Sequence, residues 1–204
     1  MTVNVRHIYI GPEFTVPPAG PIPLLRDWFA LAVARDVDEP HAIALSTVAE
    51  NGRPSSRTVH VHRITHRGLV VATHATSRKG REIDRTGQWS GVTYWRETNQ
   101  QITFGGHVEP ADAGLADVLW RQRPASARAM SATSAQSEPL TDQKSLLIRA
   151  RSRQRMPLPR PRTWVAHHLV ITEVEFWQSS PDGLHRRLRY DLTDRGWTSV
   201  RLQP

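Results

Sequence analysis

Basic side chains gather around one short stretch of the chain, and anion binding is the chemistry that they suggest. Residues 73–81 read Thr-His-Ala-Thr-Ser-Arg-Lys-Gly-Arg and follow an apolar run at residues 68–72 that is typical of a buried strand. Thr76 and Ser77 are good N-cap residues, and a helix N-terminus offers free N–H groups and the positive end of its dipole. The stretch predicts a phosphate site, although an ordinary solvated basic turn would have the same sequence.

A third cation belongs to the same predicted site. Arg57 begins the polar face of the strand that precedes the apolar run. In a meander of consecutive antiparallel strands, this strand neighbours the one that leads to Arg78 and Lys79. The three cations can then converge on one anion, which is a more specific arrangement than any one of them alone.

A predicted hairpin near the C-terminus carries an aromatic and a cationic side chain. Trp177 and Arg187 lie on its two arms, and His185 lies between them in the sequence. An indole and a guanidinium can together hold a flat, electron-rich ring. Packing of Trp177 in the core is the alternative, and the residues alone favour it.

Several other chemistries find no support in the sequence. It contains no cysteine, which excludes disulfides, thiol catalysis and cysteine-ligated metals. It also lacks a GxGxxG fingerprint, a Walker loop and a Gly-x-Ser-x-Gly motif. His60 and His62 share one strand face, but no acidic residue stands at ligand spacing, so we expect no metal site.

The formal net charge of +8 comes largely from arginine. Arginine favours discrete anion sites over a nonspecific lysine-rich patch, although a GC-rich genome gives the same bias. The basic residues are dispersed over strands, so a nucleic-acid binder is the weakest interpretation. No apolar run has the length of a membrane span and no signal pattern begins the chain, so we expect a cytoplasmic protein that does not enter a membrane.

The elements that must position these residues are typical of a mainly β protein. Short turns between consecutive strands predict a meander that closes into a β-barrel with peripheral helices. We expect an extended, proline-rich segment at residues 1–23 and a single domain at residues 24–204. The predicted strands are 41–49, 55–64, 69–73, 89–96, 101–108, 164–177, 186–192 and 197–202; the helices are 24–35, 80–85, 111–122 and 142–153; and a long surface loop is expected at 125–139.

Short motifs along the chain resemble the pyridoxamine-phosphate-oxidase superfamily of FMN-binding split barrels. They follow the family's order from about residue 40 to the last residue. The matching pieces are Arg57-Thr58-Val59, Ser77-Arg78-Lys79, Tyr94-Trp95-Arg96, Gln100-Gln101-Ile102, Arg123-Pro124, Gln136-Ser137, Glu175-Phe176-Trp177, Leu184-His185 with Arg187, and Arg201-Leu202-Gln203-Pro204. The resemblance implies a homodimeric split β-barrel with FMN at the subunit interface, so an isolated monomer should not form the site.

The resemblance also implies which residues bind the cofactor. The phosphate contacts would come from three cations and from the long loop, and a strand end would lie along the flavin. Gln101 would reach the flavin from the second subunit. The full set is Arg57, Thr58, Ala72, Thr73, Arg78, Lys79, Gln101, Gln136, Ser137, Trp177 and Arg187.

The residues expected at the substrate depart from the vitamin-B6 oxidase pattern. His62 stands where that pattern has Lys, Leu119 and Ala127 where it has Tyr and Ser, and Gly183 where it has Arg. Only Arg123 remains of the contacts to the phosphate ester. A buried dianion without partners is costly, so the pocket should bind pyridoxine phosphate poorly.

The chain is more similar to the phenazine-biosynthesis branch of the superfamily. The similar stretches are Ala72-Thr73-His74-Ala75, Tyr94-Trp95-Arg96-Glu97, residues 131–138 and Leu188-Arg189-Tyr190-Asp191. Gly183 departs from this branch too, where Arg is expected. The resemblance implies an oxidase that aromatises a hexahydro- or tetrahydrophenazine carboxylate by hydride transfer to FMN, with O2 as acceptor.

The expected substrate site then contains His62, Leu119, Arg123, Ala127, Gly183 and His185. We expect His185 to be the catalytic residue, taking a proton, but a purely structural hydrogen bond explains it equally well. Two alternatives stay open. One is a true pyridoxine or pyridoxamine 5'-phosphate oxidase, and the other is a split barrel that binds flavin, haem or another ligand without turnover.

Overall fold

Strands make up the largest part of residues 11–204, the part of the chain that this computed structural model describes. The strands are β1 (Ala42–Val48), β2 (Pro54–His60), β3 (Arg63–Ile64), β4 (Gly68–His74), β5 (Gln88–Trp95), β6 (Gln100–Pro110), β7 (Trp164–Gln178), β8 (Arg186–Thr193) and β9 (Gly196–Arg201). The helices are a 3-10 turn at Pro12–Phe14, α1 (Pro21–Ala34), α2 (Arg78–Thr86), α3 (Ala113–Gln122), α4 (Ala125–Thr133) and α5 (Gln143–Arg153). The mainly β prediction is confirmed.

The strands form one antiparallel sheet, and its order differs from the predicted meander. The order is β2-β1-β5-β6-β7-β4-β3, with β8 paired to β7 and β9 paired to β8. The strand of Arg57, β2, is therefore not hydrogen-bonded along its length to β4, as the meander required. Helix α2 carries the chain from β4 across to β5, which leaves β4 to pair with the much later β7.

The sheet closes where the predicted strand 55–64 breaks into β2 and β3. At the break the Val61 N–H donates to the His41 carbonyl (2.9 Å), and the His62 N–H donates to the Val70 carbonyl (2.8 Å). Successive residues thus bond to opposite edges of the sheet. The seam brings β2 next to β4 and places His62 between them.

Strand β7 is shared between two parts of the sheet. Its first half pairs with β4 from His74↔Trp164 to Gly68↔Val170, and its second half pairs with β8. Its other edge pairs with β6, where a bulge shifts the register at Gly106. A Cβ on Gly106 would collide with the Val170 carbonyl, so glycine is required for this close approach.

The main apolar core lies inside the barrel and is covered by α1. Leu25, Trp28 and Phe29 of α1 are buried there, and the Trp28 ring meets Phe176 edge-on at 5.1 Å. Helix α1 begins at Pro21, because proline fits the first turn of a helix, so it starts three residues before the predicted Leu24. The first ten residues of the predicted segment 1–23 lie outside the described part of the chain, and the division into segment and domain stays a prediction.

A second, smaller core lies between α3 and the outer face of β4 and β7. Leu119 and Trp120 of α3 pack there, and the ring of Trp120 meets that of Trp164 at 5.2 Å. Asp112 caps α3 by accepting a hydrogen bond from the Leu115 N–H (2.8 Å). None of the helices in residues 11–204 has the length and hydropathy of a transmembrane span.

The predicted loop at residues 125–139 is wrong in its first part, because residues 125–133 form α4. Pro124 stands at the N-cap, and the segment that follows is rich in alanine, the strongest helix former. The polar serines and threonine hid this preference. Only residues 134–142 connect α4 to α5 without regular structure.

Candidate functional site

A cleft of about 830 Å³ opens between the β2–β4 seam and helices α3 and α4. It brings together many of the residues that the sequence predicts for cofactor and substrate. From the cofactor set it is lined by Arg57, Thr58, Ala72, Thr73, Lys79 and Gln136, and from the substrate set by His62, Leu119, Arg123 and Ala127. The sequence analysis missed the other lining groups, among them His60, His74, Met130, Ser131 and Trp164.

One end of the cleft is cationic and buried. Lys79 is 8% exposed, and burial followed by the charge of Arg57 lowers the pKa of Lys79. Burial lowers the pKa of Arg57 as well, against the opposing effect of Glu82. Arg57 is anchored by the Leu45 carbonyl (3.2 Å) and by the hydroxyl of Thr47 (2.6 Å). These cations meet across the seam rather than along a shared strand ladder.

Behind this end lies Glu82, a residue that the sequence analysis did not single out. It is 6% exposed. Its Oε2 accepts hydrogen bonds from Ser55 (2.6 Å), Thr47 (2.5 Å) and Arg57 (3.2 Å), and its Oε1 accepts one from Arg78 Nε (2.9 Å). Burial alone would raise the pKa of Glu82, but these hydrogen bonds outweigh it and lower the pKa to about 2. The i,i+4 spacing from Arg78 was the signal in the sequence.

The start of α2 is more fully capped than the sequence predicts. The Ser77 hydroxyl accepts a hydrogen bond from the Gly80 N–H (3.2 Å), and the Ser137 hydroxyl accepts one from the Arg78 N–H (3.0 Å). The expectation of free N–H groups is therefore wrong for these two, because Ser77 caps one and loop 134–142 folds back onto the other. Side chains, rather than the helix terminus, supply the positive charge of this site.

One wall of the cleft is apolar, and an arginine lies beside it. Leu119 and Trp164 are buried at this wall. The Arg123 guanidinium lies 5.4 Å from the Trp164 ring centroid, and its Nη2 donates to Ser131 (3.1 Å). Its Nε is buried without a hydrogen-bond partner among residues 11–204. No carboxylate of the described chain lines the cleft, so this side of it suits an anionic group on a flat ligand.

Burial lowers the pKa of two histidines at the cleft, His62 and His74. Burial, followed by the charges of His60, Arg123 and Arg63, lowers the pKa of His62 to about 4. Burial likewise lowers the pKa of His74, whose Nδ1 lies 3.2 Å from the Thr163 hydroxyl. The rings of His60 and His62 meet at 5.2 Å. A neutral imidazole can donate one hydrogen bond and accept another, so His62 can contact a ligand without adding charge.

Apart from Arg78 and Ser137, which meet at the start of α2, the remaining predicted residues lie in a second place, on the outer face of three neighbouring strands. Gln101 of β6 stands opposite Trp177 of β7, and Trp177 stands opposite Arg187 of β8. The Arg187 guanidinium makes a two-pronged pair with Glu175 (2.7 and 2.9 Å). None of these side chains lines the cleft of their own chain. We call Gln101, Trp177 and Arg187 the cross-strand row.

His185 and Gly183 also belong to this second place. The His185 ring lies 5.1 Å from the Trp177 ring, and its Nδ1 accepts a hydrogen bond from the Ser180 N–H (3.2 Å). Gly183 has φ +76° in the turn that precedes β8, which favours glycine there. Within residues 11–204 no group of three or more His, Asp or Glu side chains could hold a metal ion.

Two family models match the chain. Residues 31–155 match the model described as pyridoxamine 5'-phosphate oxidase. Residues 164–204 match the one described as the pyridoxine 5'-phosphate oxidase C-terminal dimerisation region. The cross-strand positions Trp177 and Arg187 fall within this second region. The matches confirm the resemblance drawn from the motifs.

Curated relatives divide between two activities. Dihydrophenazinedicarboxylate synthase from Burkholderia lata is 44% identical over 95% of this chain and 92% of its own length. The synthase of the same name from Pseudomonas chlororaphis is 40% identical over 95% and 88%. Pyridoxine/pyridoxamine 5'-phosphate oxidase from Herminiimonas arsenicoxydans is 35% identical over 91% and 90%.

Solved structures have the same fold. PhzG from Burkholderia lata, in complex with tetrahydrophenazine-1-carboxylic acid, superposes with a TM-score of 0.94 at 43% identity, covering 96% of this chain and 98% of that one. A pyridoxamine 5'-phosphate oxidase-related, FMN-binding protein from Nostoc punctiforme superposes with a TM-score of 0.72 at 18% identity, covering 88% and 97%. The latter likeness concerns the fold alone.

Proposed function

The chain belongs to the pyridoxamine 5'-phosphate oxidase family, and we propose that it is an FMN-dependent oxidase that aromatises a partly reduced phenazine carboxylate. The observation that carries the proposal is the position of Arg123 beside the apolar wall of a cleft that no carboxylate of the described chain lines. Leu119 and Ala127 stand there in place of the Tyr and Ser that bind the phosphate in the vitamin-B6 oxidase pattern. The similarity to the two dihydrophenazinedicarboxylate synthases supports the same substrate class. A cytoplasmic location remains part of the proposal.

The residues present fit FMN. Arg57 and Lys79 supply buried positive charge to the cleft, and Arg78 is held beside them through Glu82. The strand end Ala72–Thr73 and apolar walls leave room for a flat ring. When bound, FMN supplies a hydride acceptor that O2 can reoxidise.

The protein's own task is to place the substrate and to exclude water. Leu119 and Trp164 form an apolar wall against which a tricyclic ring can stack. Arg123 pairs with the substrate carboxylate, because a guanidinium matches a carboxylate with two parallel hydrogen bonds. Neutral His62 adds a hydrogen bond. Aromatisation itself favours the product, so no strong general base is needed.

A second copy of the chain completes the proposed site. The cross-strand row lies away from the cleft of its own chain, and its two later members belong to the dimerisation region. We therefore propose that each row covers the cleft of the partner. His185 would arrive with it, either to take a proton or to serve as a structural hydrogen-bond acceptor, as it does towards Ser180.

The test combines an absorption spectrum with an anaerobic reaction. The purified dimer should carry or take up FMN, and anaerobic dihydrophenazine carboxylate should bleach the flavin absorption. The bleaching should yield one equivalent of the aromatic product per flavin, and admission of O2 should restore the absorption with formation of H2O2. A protein that takes up no FMN would overturn the proposal.

The second candidate is a pyridoxine or pyridoxamine 5'-phosphate oxidase, which the 35% identical relative favours. The same preparation should turn over pyridoxamine 5'-phosphate poorly, because Leu119 and Ala127 offer its phosphate no hydrogen bond. Faster turnover of this compound than of any reduced phenazine would reverse the assignment. Bound flavin that neither substrate reduces would favour a binding protein without turnover.

A further inference from the structure

The strongest unassigned feature of the cleft is the buried carboxylate of Glu82. It lies where a negative charge works against the binding of an anion, directly behind two of the cations of the proposed phosphate site. Hydrogen bonds from β1, β2 and α2 converge on it, from Thr47, Ser55, Arg57 and Arg78. Because a carboxylate there opposes phosphate binding, its presence requires an explanation.

Orientation of Arg57 does not require Glu82. Two other acceptors, the Leu45 carbonyl and the Thr47 hydroxyl, already hold Arg57 Nη1, and the Ser55 hydroxyl holds Nη2. Arg78 is fixed at its backbone by Ser137 and is half exposed. Glu82 also accepts the hydrogen bonds of the Thr47 and Ser55 hydroxyls, but an amide oxygen could accept these as well, so what a carboxylate adds at this position is negative charge.

That charge matters because the cations lie close to one another. The Arg78 charge lowers the pKa of Arg57, and the Arg57 charge lowers the pKa of Lys79. Three positive charges minus the one of Glu82 leave a net charge of +2 at this end of the cleft. A phosphomonoester carries about two negative charges at neutral pH.

We infer that Glu82 is the internal counter-charge of the phosphate site, which reduces the repulsion between Arg57 and Arg78 in the cofactor-free chain and matches the site to a dianionic phosphomonoester. The inference rests on the proposed function. Glu82 lowers the affinity for phosphate, because the carboxylate repels the ligand. It also holds the cations together before the ligand binds.

The test measures binding of FMN and of riboflavin, which has the same ring but no phosphate, by quenching of flavin fluorescence in the cofactor-free dimer. Glu82→Gln keeps the size of the side chain, and the Thr47 and Ser55 hydroxyls can turn to suit an amide. We expect the preference for FMN over riboflavin to rise about tenfold, because one repulsive charge is gone. Glu109→Gln, which removes an exposed partner of Arg67, is the control and should leave the preference unchanged.

The outcomes separate the inference from the proposed function. Wild-type protein that shows no preference for FMN contradicts the proposed function itself. Wild-type protein that prefers FMN, with Glu82→Gln unchanged or less selective, overturns the inference alone. An equal loss of both ligands would make Glu82 a packing residue and would also overturn it.

A folding failure of Glu82→Gln is also informative. The paired variant Glu82→Gln with Arg78→Gln removes one charge of each sign. If repulsion is the cause of the failure, this pair should fold and melt closer to the wild type than the single variant. A pair that is as unstable as the single variant would overturn the inference.

Discussion

The cleft and the cross-strand row are the two regions that carry the predicted site, and they are built in opposite ways. In the cleft, side chains from β2, β4, α2 and α4 converge inside one chain, with Lys79 buried and Arg57 partly buried. In the row, three residues line up on the outer face of adjacent strands, and Arg187 is paired with Glu175 of the same chain. Folding of one chain assembles the cleft. The cross-strand row, in contrast, would contribute to a site only when a second copy of the chain packs against it.

The largest expected effect comes from the cationic end of the cleft. Replacing Arg78 and Lys79 together with Ala should lower FMN affinity by about a thousandfold, because two charge-assisted contacts to phosphate are lost. Equilibrium dialysis of the purified dimer would measure this. Arg81→Ala, at an exposed position on the same helix, is the matched control. Unchanged FMN affinity would refute the phosphate assignment.

Mixing two variant subunits tests whether the cleft of one chain and the cross-strand row of the other form one site. Trp177→Ala should be inactive alone, as should the Arg78/Lys79 double variant. Unfolding and refolding the two variants together should restore up to about a quarter of the sites, since half of the dimers are mixed and each has one intact site. Oxidation of a dihydrophenazine carboxylate is the measurement.

Failure to complement would place the row outside the active site. The same refolding with wild-type chain alone controls for recovery of the dimer. Native mass spectrometry, which separates the three dimers by mass, would verify that mixed dimers are present before activity is compared.

Within the cleft, Arg123 should decide the affinity for a carboxylate. Arg123→Gln should raise KM for a reduced phenazine carboxylate about a hundredfold and change kcat less, because the bond is present in substrate and transition state alike. Arg121→Gln, an exposed change on α3, should have no effect. An unchanged KM would show that the carboxylate binds elsewhere.

The smallest expected effect is a difference in stability between the carboxylates of the two regions. The pKa of Glu82 is lowered from 4.5 to about 2, so the charged form stabilises the fold above pH 4.5 and this contribution is lost as the pH falls towards 2. Wild type should exceed Glu82→Gln in free energy of unfolding by about 3 kcal/mol at most at pH 7. Denaturant titrations across this range would measure the difference.

Glu175, which pairs with Arg187 of the cross-strand row, offers the substitution to compare with Glu82→Gln. Glu175→Gln breaks a pair that is more exposed, since Arg187 is 31% exposed. The expected loss is below about 1 kcal/mol, because solvent screens such pairs. If Glu82→Gln and Glu175→Gln lower the free energy of unfolding equally, the carboxylates of the two regions do not differ in their contribution to stability.

The sequence was most informative where local rules act alone. Ser77 caps α2 as its type predicts, and Asp142 caps α5 at the start of the predicted helix 142–153. The alternation of apolar and polar residues marked the strands to within a few residues. The three cations of the proposed phosphate site were also singled out, through their positions on neighbouring elements, although a solvated basic turn would have the same local sequence.

Contacts between residues far apart in the sequence could not be predicted from local patterns. Pairing of β4 with β7 joins segments about a hundred residues apart, and no local pattern encodes it. In the sequence Glu82 resembles any polar residue of a surface helix. Its contacts with Thr47 and Ser55 exist only in the folded chain. The separation of the cross-strand row from the cleft is a property of the folded barrel, and only the family resemblance, which implies a site shared between two subunits, pointed to it.

Strand β7 has a consequence for a dimer built in this way. It spans 15 residues, roughly 50 Å of extended chain. One end is bonded to β4 beside the cleft of its own chain, and the other end presents Trp177 to the neighbour. In a dimer in which the row covers the partner's cleft, each β7 would therefore touch both cofactor sites, with Trp164 at the cleft of its own chain and Trp177 at that of the partner.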